Sequence, residues 1–453
     1  MPIRLDARAD LQALTKRVLS YSTADEARVV VRSASVGQSR FAGGEITTSG
    51  SATDLTVTVI STVGKRRASA TTNVTDDASL KRTVELSERL AKLSPEDPEL
   101  MPELGPQEYA AIPAYDAGTA ALDAERRADA VSRLITTARG VDPRQNLFVA
   151  GYLEANALHG TAVATSKGLF AFHQSTDVSL SCTVRTPDGT GSGWAAGGAR
   201  EWAQVDAAAL GRRAAEKAVA SRNPQAIEPG RYTVILEPQA VGDLVPLLVG
   251  AFNARTAEEG RSPFSKRGEG VPAGATLLGE KIADERVTLF SDPADPELRG
   301  APFDGDGLPL RRRMWIENGV LKTLAYSRYW AQRRGLPESA AGAGDGLKML
   351  GGTQTLDELI AGTERGVLVT HNFYIRFLDP RSASYTGLTR DGTFLVERGK
   401  ITRSLKNFRW NESPLLMLNR IEAIGRAERI GAGQVMPSLK VRDFNFASIS
   451  EAV

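Results

Sequence analysis

The 453-residue sequence predicts an α+β protein with an N-terminal α/β domain, a middle α+β segment and a β-rich, barrel-like C-terminal domain. Three observations predict it. Apolar residues alternate over 54–60, with Leu55, Val57 and Val59 on one face, as in a half-buried strand. Runs with helical spacing, such as 122–139, separate the strand-like segments. Towards the C-terminus hairpin signals take over, led by Asn318-Gly319, whose residues tolerate the positive φ angles of a type I′ turn. The length suits two or three domains with full cores, and the boundaries fall at 1–112, 113–223 and 224–453.

In the first part, residues 27–33 form a β-branched run and 54–60 the alternating strand. Asp76 or Asp77 caps a helix through Leu93, with Leu80, Val84, Leu90 and Leu93 near helical spacing, and Ser94-Pro95 ends it. Residues 94–115 are rich in proline and acidic groups and read as a linker. In the middle part, a helix over 122–139 turns Leu122, Val131, Leu134, Ile135 and Ala138 inward and stops at Gly140. Strands follow over 147–155, 161–166 and 178–184. In the last, Val178, Leu180, Cys182 and Val184 share a face, so Cys182 reads as a small core residue. The glycine-rich tract 189–198 around Trp194 reads as a long hairpin tip, and a helix over 206–221 closes the part. In the third part, the strand 232–236 runs into Glu237 and then a helix, and 316–321 and 397–400 mark hairpins. Tyr374, Arg376 and Phe377 read as packing residues of a strand.

Composition excludes several functions. A net charge of +2 leaves no large electrostatic footprint for nucleic acid. The clusters Lys65-Arg66-Arg67, Arg311-Arg312-Arg313 and Arg333-Arg334 read as solvated turns or helix faces. The start, residues 1–6, lacks the apolar stretch of a signal peptide, and the longest apolar run, 244–252, is about half of what a bilayer span requires. A lone cysteine makes no internal disulfide. These features predict a cytoplasmic protein without a membrane segment. The three histidines, His159, His173 and His371, show no short ligand spacing, and one thiol excludes a cysteine-rich structural zinc. No Gly-x-Ser-x-Gly elbow, phosphate loop or dinucleotide fingerprint is present, and Gly191-Ser192-Gly193 has no helix signal beside it. The acidic turn 302–307 lacks the spacing of a calcium loop. A paired-carboxylate hydrolase stays open, because spatial pairing is not visible in a sequence.

The densest signals lie in Thr386-Gly387-Leu388-Thr389-Arg390-Asp391-Gly392, the strand-turn-strand 394–401 and Lys406-Asn407-Phe408-Arg409-Trp410-Asn411-Glu412-Ser413, with weaker blocks at 39–46 and 302–307. Together they resemble the TldD/PmbA (TldE) family, the modulators of DNA gyrase or U62-type metallopeptidases. Metal-bearing members of that family carry His-Glu-x-x-x-His where a strand enters a helix, and a cysteine near the C-terminus. Anchoring on Ala240-Val241-Gly242 places Pro238, Gln239 and Asp243 at the three motif positions. Proline offers no ligand, glutamine is neutral and a poor general base, and Asp243 alone falls short of the three or four donors zinc takes. Histidines five apart do not share a helix face, so the first would sit at the strand end; Pro238 suits that position as a helix entrance. The C-terminal match over 431–441 has no cysteine, and Cys182 is remote from it.

The resemblance therefore implies a metal-lacking, TldE/PmbA-like member, with no catalytic residue and no metal in this chain. It implies a TldD-type, metal-bearing partner subunit that carries a zinc-type ion, in a heterodimer or larger assembly that cleaves small or unfolded peptides, including ribosomally made precursors. Asp379, Arg390, Asp391, Arg409, Asn411 and Glu412 are the candidate peptide-groove residues, acting by strand addition at a sheet edge. The alternative is that Arg390–Asp391 and Arg409–Glu412 are ion pairs that hold the sheet. Two other functions stay open: a peptide-holding homodimer with no protease role, and a hydrolase with a divergent site.

Overall fold

The computed structural model describes residues 7–338, 342, 344 and 346–450. The N-terminal residues 1–6, read above for a signal segment, lie outside them.

Six antiparallel strands build the first sheet: β1 (Glu26–Ala42), β2 (Glu45–Val63), β3 (Arg66–Thr72), β4 (Phe148–Thr165), β5 (Phe170–Arg185) and β6 (Ser192–Ala199), in the order β3-β2-β1-β4-β5-β6. Residues 1–112 and 113–223 each supply three of these strands. The runs 147–155 and 161–166 are one strand, β4, with a bulge between Asn156 and His159. A bulge shifts the side-chain alternation by one, which splits one strand into two in a sequence reading.

Two helix pairs cover this sheet. The first is α1 (Arg8–Leu19) with α2 (Asp77–Leu93), which bury Leu11, Leu14, Leu80 and Val84 against Val29, Val57 and Val59. Helix α1 escaped the sequence reading because Ala7 at its start supplies no cap and announces no boundary. Helix α2 is capped by Asp76, which accepts from the Ser79 N–H at 2.8 Å. Its inner face differs from the expectation: Ala91 is buried, while Leu90 and Leu93 are 40% and 81% exposed. At about 100° per residue, Ala91 lies roughly 20° from Leu80 around the axis and Leu90 about 80° away. After the short turn α3 (Ala117–Ala120), α4 (Ala124–Gly140) and α5 (Ala207–Ala220) pack Leu134, Ala138 and Ala214 onto Leu153, Leu180, Cys182 and Val184.

Residues 94–115, read as a linker, are a strap fastened across the sheet. Buried Glu103 pairs with Arg67 at 2.8 Å, and Thr165 Oγ1 donates to the Leu104 carbonyl at 2.6 Å. The Tyr109 hydroxyl donates to the Gly307 carbonyl at 2.7 Å. Proline and acidic residues marked the missing helix and strand pattern, but the ion pair with Arg67, whose side chain is 25% exposed, supplies an anchor; Arg67 is accordingly not a fully solvated charge.

The second sheet holds β7 (Gly230–Leu236), β8 (Leu289–Ser291), β9 (Arg313–Glu317), β10 (Val320–Leu321), β11 (Leu347–Met349), β12 (Arg365–Val369), β13 (Asn372–Asp379), β14 (Ser384–Thr389), β15 (Thr393–Glu397), β16 (Lys400–Ser404), β17 (Phe408–Glu412), β18 (Ile421–Gly431) and β19 (Gln434–Ile449). Both predicted hairpins form, with φ of 50° and 76° at Asn318 and Gly319 and 51° and 74° at Arg398 and Gly399. The barrel-like expectation is corrected: the sheet does not close. Its main path runs β10-β9-β8-β11-β19-β7-β12-β15-β16, and β17, β14 and β13 branch from β19. Strand β19 pairs with β18 and β11 near its start and with β7 and β17 towards its end. A strand that changes partners along its length splits a sheet instead of closing it. Val234, Leu236, Leu244, Trp315, Trp410 and Phe444 belong to the core beneath. Among the described residues no helix is long and apolar enough to cross a membrane.

Candidate functional site

Strands β7 and β12 run parallel as neighbours, and the Glu237 N–H donates to the Val369 carbonyl at 3.0 Å. Their C-terminal ends therefore open side by side. From β7 the chain turns at Glu237 into the helix α6 (Pro238–Leu244), with Pro238 in its first turn. From β12 it passes through Thr370 and His371 into β13. This brings Asp243 against His371 and Asn372. The Asn372 N–H donates to Asp243 Oδ2 at 2.8 Å and Gln239 Nε2 to Oδ1 at 3.3 Å. The Asn372 side chain donates in turn to the Ala240 carbonyl at 3.2 Å. Burial raises the Asp243 pKa above the usual carboxylate value, and the His371 ring and the two N–H donors offset it only in part.

A zinc-type ion does not fit this corner. Pro238 has no donor atom, and both Asp243 oxygens face N–H groups that a cation would have to displace. Cys182 is buried against the Leu210 carbonyl, and burial pushes its thiol up to about 12. His159 sits 3.4 Å from Asp177 on the first sheet. Among the described residues no three His, Cys, Asp or Glu side chains converge as a metal ion requires.

The corner is joined to the first sheet across a seam. Trp194 of β6 stacks on His371, with ring centroids 4.1 Å apart and planes inclined by 13°. The Ser192 hydroxyl donates to Asp391 Oδ1 at 2.5 Å, and Lys217 of α5 meets Glu237 at 2.6 Å. His371 is thus a largely enclosed seam residue, its side chain 15% exposed, with Nδ1 3.7 Å from Asp391 Oδ2. Burial pushes the Asp391 pKa up, but the His371 ring, the Ser192 hydroxyl and the Arg390 charge outweigh it and hold the group below the usual range.

Of the six groove residues, the structure brings two to this seam. Arg390 and Asp391 follow β14 directly, with Arg390 Nε 3.6 Å from Asp391 and its guanidinium 4.1 Å over the Phe373 ring. Asp379 ends β13 and closes a turn, accepting from the Ser382 N–H at 3.0 Å and the Ser382 hydroxyl at 2.6 Å. Arg409 and Asn411 stand exposed on β17 opposite Leu388 and Thr386. Arg409 does not pair with Glu412: it reaches Thr386 Oγ1 at 3.4 Å, while buried Glu412 lies 3.5 Å from Arg420. Tyr374 and Phe377, read as packing, are 53% and 55% exposed, on a strand that pairs with β14 alone among the described residues.

An open pocket of about 400 Å³ occupies the seam at the start of β13. Phe148, Thr183, Arg185 and Trp194 line it from the first sheet, and His371, Phe373, Arg390 and Asp391 from the second. Arg185 was not singled out from the sequence. The signal was there: if Cys182 and Val184 face the core, Thr183 and Arg185 face the other way.

Three family models tile the chain: the PmbA/TldA metallopeptidase domain 1 over residues 27–91, the central domain over 119–222 and the C-terminal domain over 229–448. The chain belongs to the PmbA/TldD family. A curated metalloprotease of Methanothermobacter thermautotrophicus is 27% identical over 299 residues, which is 60% of this chain and 61% of that protein. A metalloprotease PmbA homolog of Haemophilus influenzae is 25% identical over 325 residues, 68% of this chain and 67% of that one. The crystal structure of TldE from Thermococcus kodakarensis matches with a TM-score of 0.82 at 20% identity, covering 97% of this chain and 100% of that chain, and shows a shared fold. In PmbA/TldD terms, the corner lies within the C-terminal domain, and the pocket is shared between the central and C-terminal domains.

Proposed function

We propose that this chain is the TldE/PmbA-like, non-catalytic subunit of a TldD/TldE-type metalloprotease acting on small or unfolded peptides in the cytoplasm. The observation that carries this reading is the corner at Glu237. In the metal-bearing members two imidazoles stand there; here Pro238 opens the helix, and Asp243 accepts from Gln239 and from the Asn372 N–H. A TldD-type partner supplies the zinc-type ion and its activated water, in a heterodimer or larger assembly. This chain contributes no catalytic residue and shapes the path of the peptide. The edge of β13 away from β14, unpaired among the described residues, supports that role, since such an edge offers N–H and C=O groups to an extended chain.

The test is peptide cleavage by the purified chain alone, by a TldD-type subunit alone and by the two together, with metal analysis of each. Cleavage is expected when the partner is present, and the stoichiometric transition metal is expected in the partner. Equal cleavage by this chain alone, or a stoichiometric ion bound at residues 237–243, overturns the reading.

A further inference from the structure

The pocket at the start of β13 combines two guanidinium groups with three aromatic walls. Its single lining carboxylate among the described residues is Asp391, and that group is already engaged by Ser192 at 2.5 Å, with Arg390 and His371 within 3.6 and 3.7 Å. Arg185 and Arg390 line the same pocket, one from each side of the seam. The contact of Arg390 with the Phe373 ring holds the guanidinium in place without consuming its N–H donors. Guanidinium forks match the planar, two-oxygen geometry of a carboxylate better than any other side chain. The walls are apolar and accessible: Phe148 and Phe373 are 47% and 43% exposed, and Trp194 closes the seam side. Large apolar groups exposed around a charged floor are what an amphipathic chain end would cover.

The position of β13 supplies a direction. The strand starts at the pocket, at Asn372, and runs away from it to Asp379 with Tyr374, Phe377 and Leu378 exposed. A peptide laid antiparallel along this edge, the pairing β13 already makes with β14, points its C-terminus into the pocket.

We propose that this pocket binds the C-terminal carboxylate of an extended peptide, with Arg185 and Arg390 holding the carboxylate and Phe148, Trp194 and Phe373 taking an aromatic or large apolar terminal side chain. The inference rests on the reading of this chain as a peptide-shaping subunit and names the end of the peptide that it recognises.

The test uses the isolated full chain and fluorescence anisotropy. A short fluorescein-labelled peptide ending in phenylalanine is made once with a free carboxylate and once as the carboxamide. The carboxamide is expected to bind at least about tenfold more weakly, the loss of a charge-assisted pair. Arg390→Gln and Arg185→Gln are each expected to remove that preference while circular dichroism and melting stay those of the parent chain. Equal binding of the two peptides by the parent chain, no binding of either, or a preference retained in both variants overturns the proposal. Because no partner is present, this outcome is independent of the cleavage test: loss of the carboxylate preference leaves the subunit assignment standing, and failure of partner-dependent cleavage leaves the binding result standing.

Discussion

Replacing Lys217 by methionine tests how the two sheets are held together. Lys217 on α5 and Glu237 at the corner meet at 2.6 Å, with side chains 12% and 10% exposed. At an effective dielectric of about 20, a unit pair at that distance attracts by about 6 kcal/mol before desolvation is counted. Methionine keeps the bulk of the lysine stem and a similar helix propensity, so α5 itself is little affected. What the change leaves is a carboxylate enclosed at the seam without its cation, and removing one partner of a buried pair costs about 3–5 kcal/mol. The residual exposure places Lys217→Met near the lower end, about 3 kcal/mol. With a denaturant slope of about 3 kcal/mol per molar, the first urea transition is expected to fall by about 1 M. The double variant Lys217→Met/Glu237→Leu removes both charges and is expected to recover most of the loss, giving a coupling of about 2 kcal/mol or more in the cycle. A single variant that melts with the parent chain, or a coupling below about 0.5 kcal/mol, refutes the idea that this pair fastens the corner to the first sheet.

Three other outcomes are expected. Burial raises the Asp243 pKa, so the folded chain holds that proton more tightly than the unfolded one, and the associated stability is present in acid and lost as pH rises above the ordinary carboxylate range of about 4; Asp243→Asn, which does not titrate, should gain in melting temperature over the parent as pH is raised from 4 to 8, and a constant or shrinking difference contradicts the assignment. A Cβ at Gly193 would lie 2.2 Å from the Ala214 carbonyl oxygen and 2.4 Å from the Ala218 nitrogen, both helix backbone that cannot swing aside, so Gly193→Ala should cost about 2–3 kcal/mol in thermal or chemical unfolding. The Cys182 thiol, pushed up to about 12 by burial, should react with a thiol reagent at pH 8 only at the rate of unfolding, and rapid labelling of the native chain would show that β5 and α5 part more readily than their packing implies.

Local pattern was legible wherever one face of an element meets a core. The cap at Asp76, the inward set on α4, the shared face of Val178, Leu180, Cys182 and Val184, and both two-residue turns all follow from short-range chemistry. That Pro238 offers no ligand atom was equally plain, because it follows from residue type alone. The misreadings have a common origin. Residues 94–115 lack a period, and nothing in them says that Arg67 waits to bind Glu103. Tyr374 and Phe377 have the composition of buried positions, yet composition does not report whether a second layer covers them.

By itself the sequence determined the family and the helices and hairpins with strong local signals. These depend on residue type and on neighbours a few positions away. Tertiary structure alone decided that the second sheet branches instead of closing, and that His371 lies on Trp194. It also decided that Arg185 and Arg390 face one pocket from two different sheets. Those outcomes depend on which strands become neighbours, and strand pairing is settled by contacts between segments far apart in the chain, where one strand such as β19 can serve several partners in turn.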